Sequence, residues 1–143
     1  MDSSLKLQVG QGIPEIRRRI TALVMFSRQW AGTNPVHTDD AVAAKQGMPA
    51  PVATGQISAA YIQESCVQLL GERMFRDAVM EVWFKRPVYL NDELTVRGHV
   101  SEVREEGLGS RIIVQAECLN QAGVAVTVAR VEVMDMQTSA PLS

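Results

Sequence analysis

The second half of the chain alternates between apolar and polar residues, which is the two-residue period of half-buried β-strands. Three such runs lie at about residues 78–85, 94–100 and 112–118, and a fourth, apolar run follows at residues 124–134. The short connections at residues 89–92, 105–107 and 120–123 are typical of turns. We therefore expect an antiparallel meander, whose edge strands favour edge-to-edge dimerisation.

The segment before these strands has a helical pattern and is bounded by Gly55 and Gly71. Small or apolar residues lie on most of its sides: Ala59, Ala60, Ile62, Cys66, Val67, Leu69 and Leu70. A helix that is apolar over so much of its circumference is expected to be buried. A buried helix followed by an antiparallel sheet predicts an α+β fold, with the sheet curled around a long central helix.

The N-terminal part of the chain has a shorter pattern of apolar positions. Apolar residues at Ile13, Ile16 and Ile20, with arginines between them, predict a rough strand over residues 12–21. Thr21 can cap a short helix over residues 21–30, which has an apolar face.

A turn and a second short helix separate this region from the central helix. Residues 32–35 break the first helix, because the residue before a proline is pushed out of helical dihedrals. Thr38 is the expected cap of the next helix, which ends at Gly47. Pro49 and Pro51 prevent that helix from continuing.

Composition and charge exclude several classes of function. The chain has 143 residues, 14 basic and 16 acidic side chains, and is 46% hydrophobic, which predicts one globular domain over residues 1–143. A net charge of −2 without a basic block argues against a nucleic-acid partner. The chain begins without a signal-peptide pattern, and no apolar stretch reaches the ~20 residues that span a bilayer. We expect no membrane partner.

The cysteines and histidines are few. Cys66 and Cys118 have no CxxC spacing, so they are expected to be buried, reduced thiols of a cytoplasmic protein. Two cysteines and two histidines leave little material for a structural zinc site. We therefore expect neither a metal nor another cofactor.

The residues best suited to chemistry lie between residues 32 and 63. His37 follows a turn made rigid by Pro35, and an imidazole with a pKa near ~6.5 transfers protons at neutral pH. Gly55 opens the central helix, where backbone N–H groups lie at the positive end of the helix dipole. One such donor contributes about 3–4 kcal/mol to oxyanion stabilisation in other enzymes. Each feature alone is more often structural than catalytic.

Two stretches resemble one known family. NPVHTDDAVAAKQGMPAPVATG, residues 34–55, resembles the hydratase signature of the MaoC-like family of (R)-specific enoyl-CoA hydratases and 3-hydroxyacyl thioester dehydratases. FKRPVYLNDELTVRG, residues 84–98, resembles the strand, turn and strand that follow the family's central helix. The similarity covers about residues 7–134. It implies the hot-dog fold, a dimer with its active site between subunits, and an acyl thioester as ligand, usually acyl-CoA.

The resemblance also implies roles for individual residues. His37 matches the family's catalytic histidine, and Asn34 matches the polar residue of its turn. Gly55 matches the glycine whose N–H polarises the thioester carbonyl. Gln56 follows it at the start of the helix, and Gln63 lies near the position of a substrate-lining serine.

The chain departs from the family pattern at two positions. Gly32 stands where the family has its catalytic aspartate, which shares the protons of the attacking water with the histidine. Thr54 stands where many members have a histidine directly before the oxyanion glycine. Loss of one positioned acid–base group typically costs about 10²–10⁴ in rate.

Other acidic residues are candidates to replace that aspartate. Asp39 and Asp40 are more typical of a helix start than of direct chemistry. Glu64 on the central helix is a better substitute if it points toward the thioester; the alternative is a solvent-exposed side chain or a pair with an arginine. A metal site at His37, Asp39 and Asp40 would lack a fourth ligand.

The arginine run at residues 17–19 is a further candidate, here for the phosphates of coenzyme A. Alternation along a strand points these side chains to both faces, which favours a solvated edge strand.

Two main hypotheses and one further alternative follow. The first is a hydro-lyase that adds water to the double bond of an enoyl-CoA or acyl-carrier thioester, acting as a homodimer or a dimer of dimers. The second is a non-catalytic acyl-CoA-binding subunit that pairs with a complete MaoC-like chain, as in the heteromers of steroid side-chain breakdown. The third is other hot-dog chemistry, such as a thioesterase.

Overall fold

The computed structural model describes residues 6–25 and 39–136. Three helices, one 3₁₀ segment and five strands make up the described chain. They are β1 (Ile16–Arg19), α1 (Ala22–Met25), α2 (Asp40–Lys45), α3 (Gly55–Leu70), the 3₁₀ segment Gly71–Phe75, β2 (Val79–Phe84), β3 (Glu93–Glu106), β4 (Gly109–Leu119) and β5 (Ala125–Met136). None of the helices in these ranges is long and apolar enough to cross a membrane.

The five strands form one antiparallel sheet in the order β1-β3-β4-β5-β2. The helix α3 packs against β3, β4 and β5, so the predicted α+β class and the hot-dog arrangement of sheet and central helix are confirmed. The meander is correct only for β3, β4 and β5. The consecutive strands β2 and β3 do not pair, because β2 lies at the far edge beside β5.

The connection between β2 and β3 explains this difference. A turn does form at its end, where Asp92 N donates to Tyr89 O over 3.1 Å. Before that turn, Tyr89 forms a bridge with Val52, and Ala53 N donates to Val88 O over 2.7 Å. The segment is therefore paired with the residues that lead into α3, and it carries the chain from β2 at one edge of the sheet to β3 near the opposite edge.

The helix α3 is buried on one face only. Its inner face lies in the core with Ile57, Ile62, Cys66 and Leu70, each at most 1% exposed. The opposite stripe is exposed and polar, with Gln56, Gln63, Glu64 and Gln68. The prediction of a helix buried on most sides was therefore wrong, because the sheet covers one side of it.

The short helices begin where side-chain oxygens accept backbone N–H groups. Thr21 Oγ1 accepts Val24 N over 3.3 Å, as predicted for the start of α1. The cap of α2 is Asp39, whose Oδ1 accepts Ala41 N over 2.8 Å and Val42 N over 3.2 Å. The predicted cap was Thr38, which lies outside the described residues; Asp39 is the residue one position nearer the first helical turn.

Both cysteines are free and buried, as predicted. Burial raises the pKa of the Cys66 thiol from 9.0 to about 11 and the pKa of the Cys118 thiol from 9.0 to about 12. The thiolate is the reactive form of cysteine, so both side chains are expected to be inert at neutral pH.

This burial predicts slow thiol modification in the native protein. A pKa rise from 9.0 to about 11 lowers the thiolate fraction at pH 8 about a hundredfold. We expect Ellman's reagent to react with native Cys66 and Cys118 at least that much more slowly than with the chain unfolded in guanidinium chloride. Equal rates in the two states would contradict the burial of the thiols.

Candidate active site

The residues directly before α3, 51–54, are held by contacts with the connection between β2 and β3. Pro51 is buried, and the residues after it run beside the β2–β3 connection. The Val52–Tyr89 bridge and the 2.7 Å hydrogen bond from Ala53 N to Val88 O hold this approach in place. The first turn of α3 is therefore positioned by tertiary contacts, in addition to the packing of its apolar face.

Backbone donors are available at the start of α3. Thr54 occupies the N-cap position with extended dihedrals, φ −64° and ψ 140°, and its side chain makes no capping hydrogen bond. Ile57 N donates to Thr54 O over 3.1 Å, whereas the N–H groups of Gly55 and Gln56 have no acceptor among the described residues. Unpaired amides at the positive end of a helix dipole can bind a carbonyl oxygen or an oxyanion.

Gly55 is required by close packing. A Cβ at this position would lie 2.7 Å from Cε1 and 2.9 Å from Cδ1 of Phe84. The ring at the end of β2 therefore lies directly against the first turn of α3. A side chain larger than hydrogen at residue 55 would displace this ring.

Two buried hydroxyl groups connect the first turn of α3 to β5. Ser58 Oγ donates to Gly55 O over 3.0 Å and lies 2.7 Å from Thr127 Oγ1. Since Ser58 uses its hydrogen on the carbonyl, the Thr127 hydroxyl donates to Ser58. Sequence reasoning assigned neither hydroxyl to the site, and the one signal of Thr127 is a hydroxyl within an apolar strand.

A cavity of about 300 Å³ lies beside these groups. Its wall is mainly apolar, with two hydroxyl residues and two basic residues. The lining residues are Met48, Val52, Ala53, Ser58, Phe84, Lys85, Arg86, Pro87, Val88 and Thr127. This volume lies at the lower end of the range for small-molecule sites.

The predicted site residues on α3 divide into two groups. Thr54 and Gly55 are half-buried at the helix start, next to lining residues of the cavity, and Gln56 beside them is exposed. Gln63 and Glu64 are exposed further along the helix. Nine residues of α-helix separate Glu64 from Gly55, a rise of about 13.5 Å.

Glu64 forms an ion pair with Arg18 of β1, at 3.1 Å between Nη2 and Oε2. Both side chains are exposed to a large extent, at 45% for Arg18 and 43% for Glu64. This geometry matches the structural alternative for Glu64 and does not bring its carboxylate to the helix start. It gives no support to Glu64 as a substitute for the missing aspartate.

His37, Asn34 and Gly32 lie outside the described residues, so their predicted places stay predictions. Asp39 is described, and it caps α2, which is the structural role favoured by the sequence. Within residues 6–25 and 39–136, no three His, Cys, Asp or Glu side chains lie close enough together to hold a metal ion.

The arginine run lies on the edge strand β1, and all three side chains are exposed. Arg18 pairs with Glu64, and Arg19 Nη2 lies 4.0 Å from Glu93 Oε2. The cavity receives its lining from β5 and from the end of β2, at the opposite edge of the sheet from β1. The run therefore matches the predicted solvated edge strand.

The model of the MaoC like domain matches residues 13–131 of the chain. The matched range contains both stretches quoted above. None of the curated protein sequences matches the chain significantly.

Several solved structures are similar over most of the chain. The unliganded R-hydratase PhaJ1 from Pseudomonas aeruginosa is 28% identical, with a TM-score of 0.68, over 96% of this chain and 92% of that one. The (R)-hydratase from A. caviae involved in PHA biosynthesis is 24% identical, with a TM-score of 0.70, over 91% and 98%. A chain of the ChsH1-ChsH2 complex from Mycobacterium tuberculosis is 22% identical, with a TM-score of 0.73, over 91% and 98%.

The contact between Gly55 and Phe84 predicts coupled substitutions. Gly55→Ala places a methyl group against the Phe84 ring, and overpacking of this kind costs about 1–3 kcal/mol. In a Phe84→Ala background the same substitution has no ring to displace. We expect a coupling of about 0.5–3 kcal/mol in a double-mutant cycle measured by chemical denaturation. An identical effect of Gly55→Ala in both backgrounds would contradict the contact.

Proposed function

The chain belongs to the MaoC-like dehydratase family, and we propose that it is a hydro-lyase acting on acyl thioesters. In this proposal it adds water reversibly to the double bond of an enoyl-CoA or of an enoyl group on a carrier protein. The observation that carries the proposal is the pair of N–H groups at the start of α3, those of Gly55 and Gln56, which have no acceptor within residues 6–25 and 39–136 and lie beside a mainly apolar cavity of about 300 Å³.

The Gly55 N–H is the proposed donor to the thioester carbonyl oxygen. Attack of water at Cβ moves electron density onto that oxygen, which becomes enolate-like. A donor fixed by the packing of Phe84 and by the Ser58–Gly55 hydrogen bond needs no rearrangement during the reaction. Such a donor is worth about 3–4 kcal/mol in the transition state.

His37 is the proposed general acid–base. It takes a proton from water as the oxygen bonds to Cβ, and it returns a proton to Cα when the enolate collapses. Asn34 is the proposed partner that orients the water or the imidazole. Thr54, Gln56 and Gln63 are assigned to the substrate-binding surface by the resemblance alone.

The missing aspartate limits this mechanism. Gly32 provides no carboxylate, and Glu64 is engaged with Arg18. We therefore assign both proton transfers to His37, with a substrate carboxylate as the alternative second base. We expect a slower enzyme than one with both groups, by about 10²–10⁴.

The second candidate is a binding subunit of a heteromer. It is favoured by Gly32 and by the structural similarity to a chain of the ChsH1-ChsH2 complex. In this case the chain binds an acyl thioester, and a second MaoC-like chain supplies the catalytic pair. A thioesterase has less support, because Glu64 is the acidic residue of α3 and it pairs with Arg18.

We propose a homodimer formed along β2. This strand pairs with β5 on one side and is the last strand of the sheet. It exposes Val79, Trp83 and Phe84, at 53%, 44% and 59%. Pairing of two β2 strands would cover these side chains and satisfy edge groups.

The free, buried cysteines agree with a cytoplasmic location.

Variants of His37 and Gly32 test the hydratase. We expect the purified wild-type chain to hydrate trans-enoyl-CoA thioesters, with kcat/KM at least about 10² lower in His37→Ala. Gly32→Asp should raise the rate by restoring a second acid–base group. The control is His99→Ala, since His99 is exposed on β3.

The outcomes distinguish the two candidates. Turnover that is absent in the isolated chain and restored by a second MaoC-like chain would favour the binding subunit. Turnover that is unchanged in His37→Ala would contradict the assignment of His37.

The dimer is tested by charge placed on β2. We expect the variant carrying Val79→Lys and Trp83→Lys to be monomeric in light scattering, because four buried ammonium groups would oppose pairing of two β2 strands. Leu108→Lys is the control, since Leu108 is 76% exposed and lies outside β2. A variant that remains dimeric would place the interface elsewhere.

A further inference from the structure

Two consecutive basic residues line the cavity directly after β2. Lys85 N and Arg86 N both donate to Val126 O, over 2.8 Å and 3.1 Å. Their backbone is therefore held against β5, while their side chains are exposed. The pair lies next to Phe84, whose ring contacts the first turn of α3.

The charges of this pair are not neutralised within the described ranges. Of the arginines there, all except Arg17 and Arg86 lie within 4.0 Å of a carboxylate oxygen. Lys85 also has no such partner in these ranges, and none of the cavity's lining residues is acidic. The positive end of the α3 dipole adds to the same potential. This mouth of the cavity therefore attracts anions.

The ligand that fits has an apolar part and an anionic part. The apolar wall, with Met48, Val52 and Val88, suits an acyl chain or the pantetheine arm. Two adjacent cations suit a group with more than one negative charge, and guanidinium and ammonium groups are the usual partners of phosphate.

Resting on the hydro-lyase proposed above, we propose that Lys85 and Arg86 bind the phosphate groups of the thioester's carrier. Coenzyme A carries several phosphate charges and the phosphopantetheine of a carrier protein carries one, at its phosphodiester, so phosphate is the group that both share. The pair then holds the anionic end of the substrate while the helix start holds its carbonyl. This assignment replaces the arginine run at residues 17–19, which lies at the opposite edge of the sheet and has two of its three side chains paired.

The test compares substrates with and without phosphate. In the variant that carries both Lys85→Ala and Arg86→Ala, we expect KM for an enoyl-CoA to rise about tenfold with little change in kcat. The enoyl thioester of pantetheine, which has no phosphate, should show no such change. High salt should reduce the difference between wild type and variant. Arg17→Ala is the matched control, because Arg17 is an exposed arginine on β1 that has no ion pair with another described residue.

A second experiment with an enoyl-phosphopantetheinyl carrier protein as substrate distinguishes the two sources of phosphate. A larger effect on an enoyl-CoA supports coenzyme A, and an effect confined to an enoyl-phosphopantetheinyl carrier protein supports the carrier. An equal effect on the pantetheine thioester overturns the proposal, because the cations would then bind the acyl group, for example through a substrate carboxylate.

A direct binding measurement tests the phosphate site independently of the proposed hydratase activity. Titration calorimetry with coenzyme A needs no turnover. Weaker binding in the double variant, with unchanged binding in Arg17→Ala, supports the phosphate site even if the chain hydrates nothing. If the double variant binds coenzyme A and the phosphopantetheinyl carrier protein as well as the wild type does, the site is overturned even if hydration is observed.

Discussion

The contact between the first turn of α3 and the end of β2 is the constraint on which the candidate site depends. The Phe84 ring occupies the space that a Cβ of residue 55 would need. This contact places the helix start beside the end of β2, and Phe84, Lys85 and Arg86 line the same cavity. A helix displaced by one turn, about 5.4 Å, would separate the amide donors from that wall.

The hydroxyl pair supports this arrangement from the other side. Ser58 and Thr127 are 2% and 1% exposed, so an unpaired hydroxyl there would carry a desolvation penalty. Their mutual hydrogen bond and the bond to Gly55 O remove that penalty. They also connect the first turn of α3 to β5, so the backbone that presents the free amides is held by both sheet strands beside it.

The charged side chains on the sheet are paired with each other, unlike the two cations at the cavity. A series of ion pairs crosses from β2 through β5 and β4 to β3. Its members are Glu81, Arg130, Glu132, Arg111, Glu106, Arg104 and Glu102. Exposed pairs of this kind contribute little each, about 0–1 kcal/mol. Their effect here is to neutralise the cations of this face, whereas Lys85 and Arg86 have no carboxylate partner within 4.0 Å in residues 6–25 and 39–136.

The sequence by itself determined the elements that local pattern controls. Alternation located β3, β4 and β5, and Gly55 and Gly71 marked the bounds of α3, because periodicity and helix-ending residues act over a few positions. The resemblance of residues 34–55 and 84–98 indicates the family from the sequence alone, and the family model matches residues 13–131. It also implies Gly55 as the amide donor, which stays a prediction; the Gly55 and Gln56 N–H groups have no acceptor among the residues that the structure describes.

Only the tertiary structure decided which distant residues meet. Four contacts join positions far apart in sequence. They are the pairing of β2 with β5, the contact of the Phe84 ring with Gly55, the Ser58–Thr127 hydrogen bond and the Arg18–Glu64 ion pair. Local pattern contains no information on such contacts, since the same alternation allows β2 to pair with either neighbour. The arginine run and Glu64 had the right residue types for a site. The strand order places the arginines at the β1 edge, away from the cavity, and Glu64 pairs with Arg18 there. Lys85 and Arg86 gained their proposed role because that order left them beside the cavity, with no carboxylate partner in the part of the chain that the structure describes.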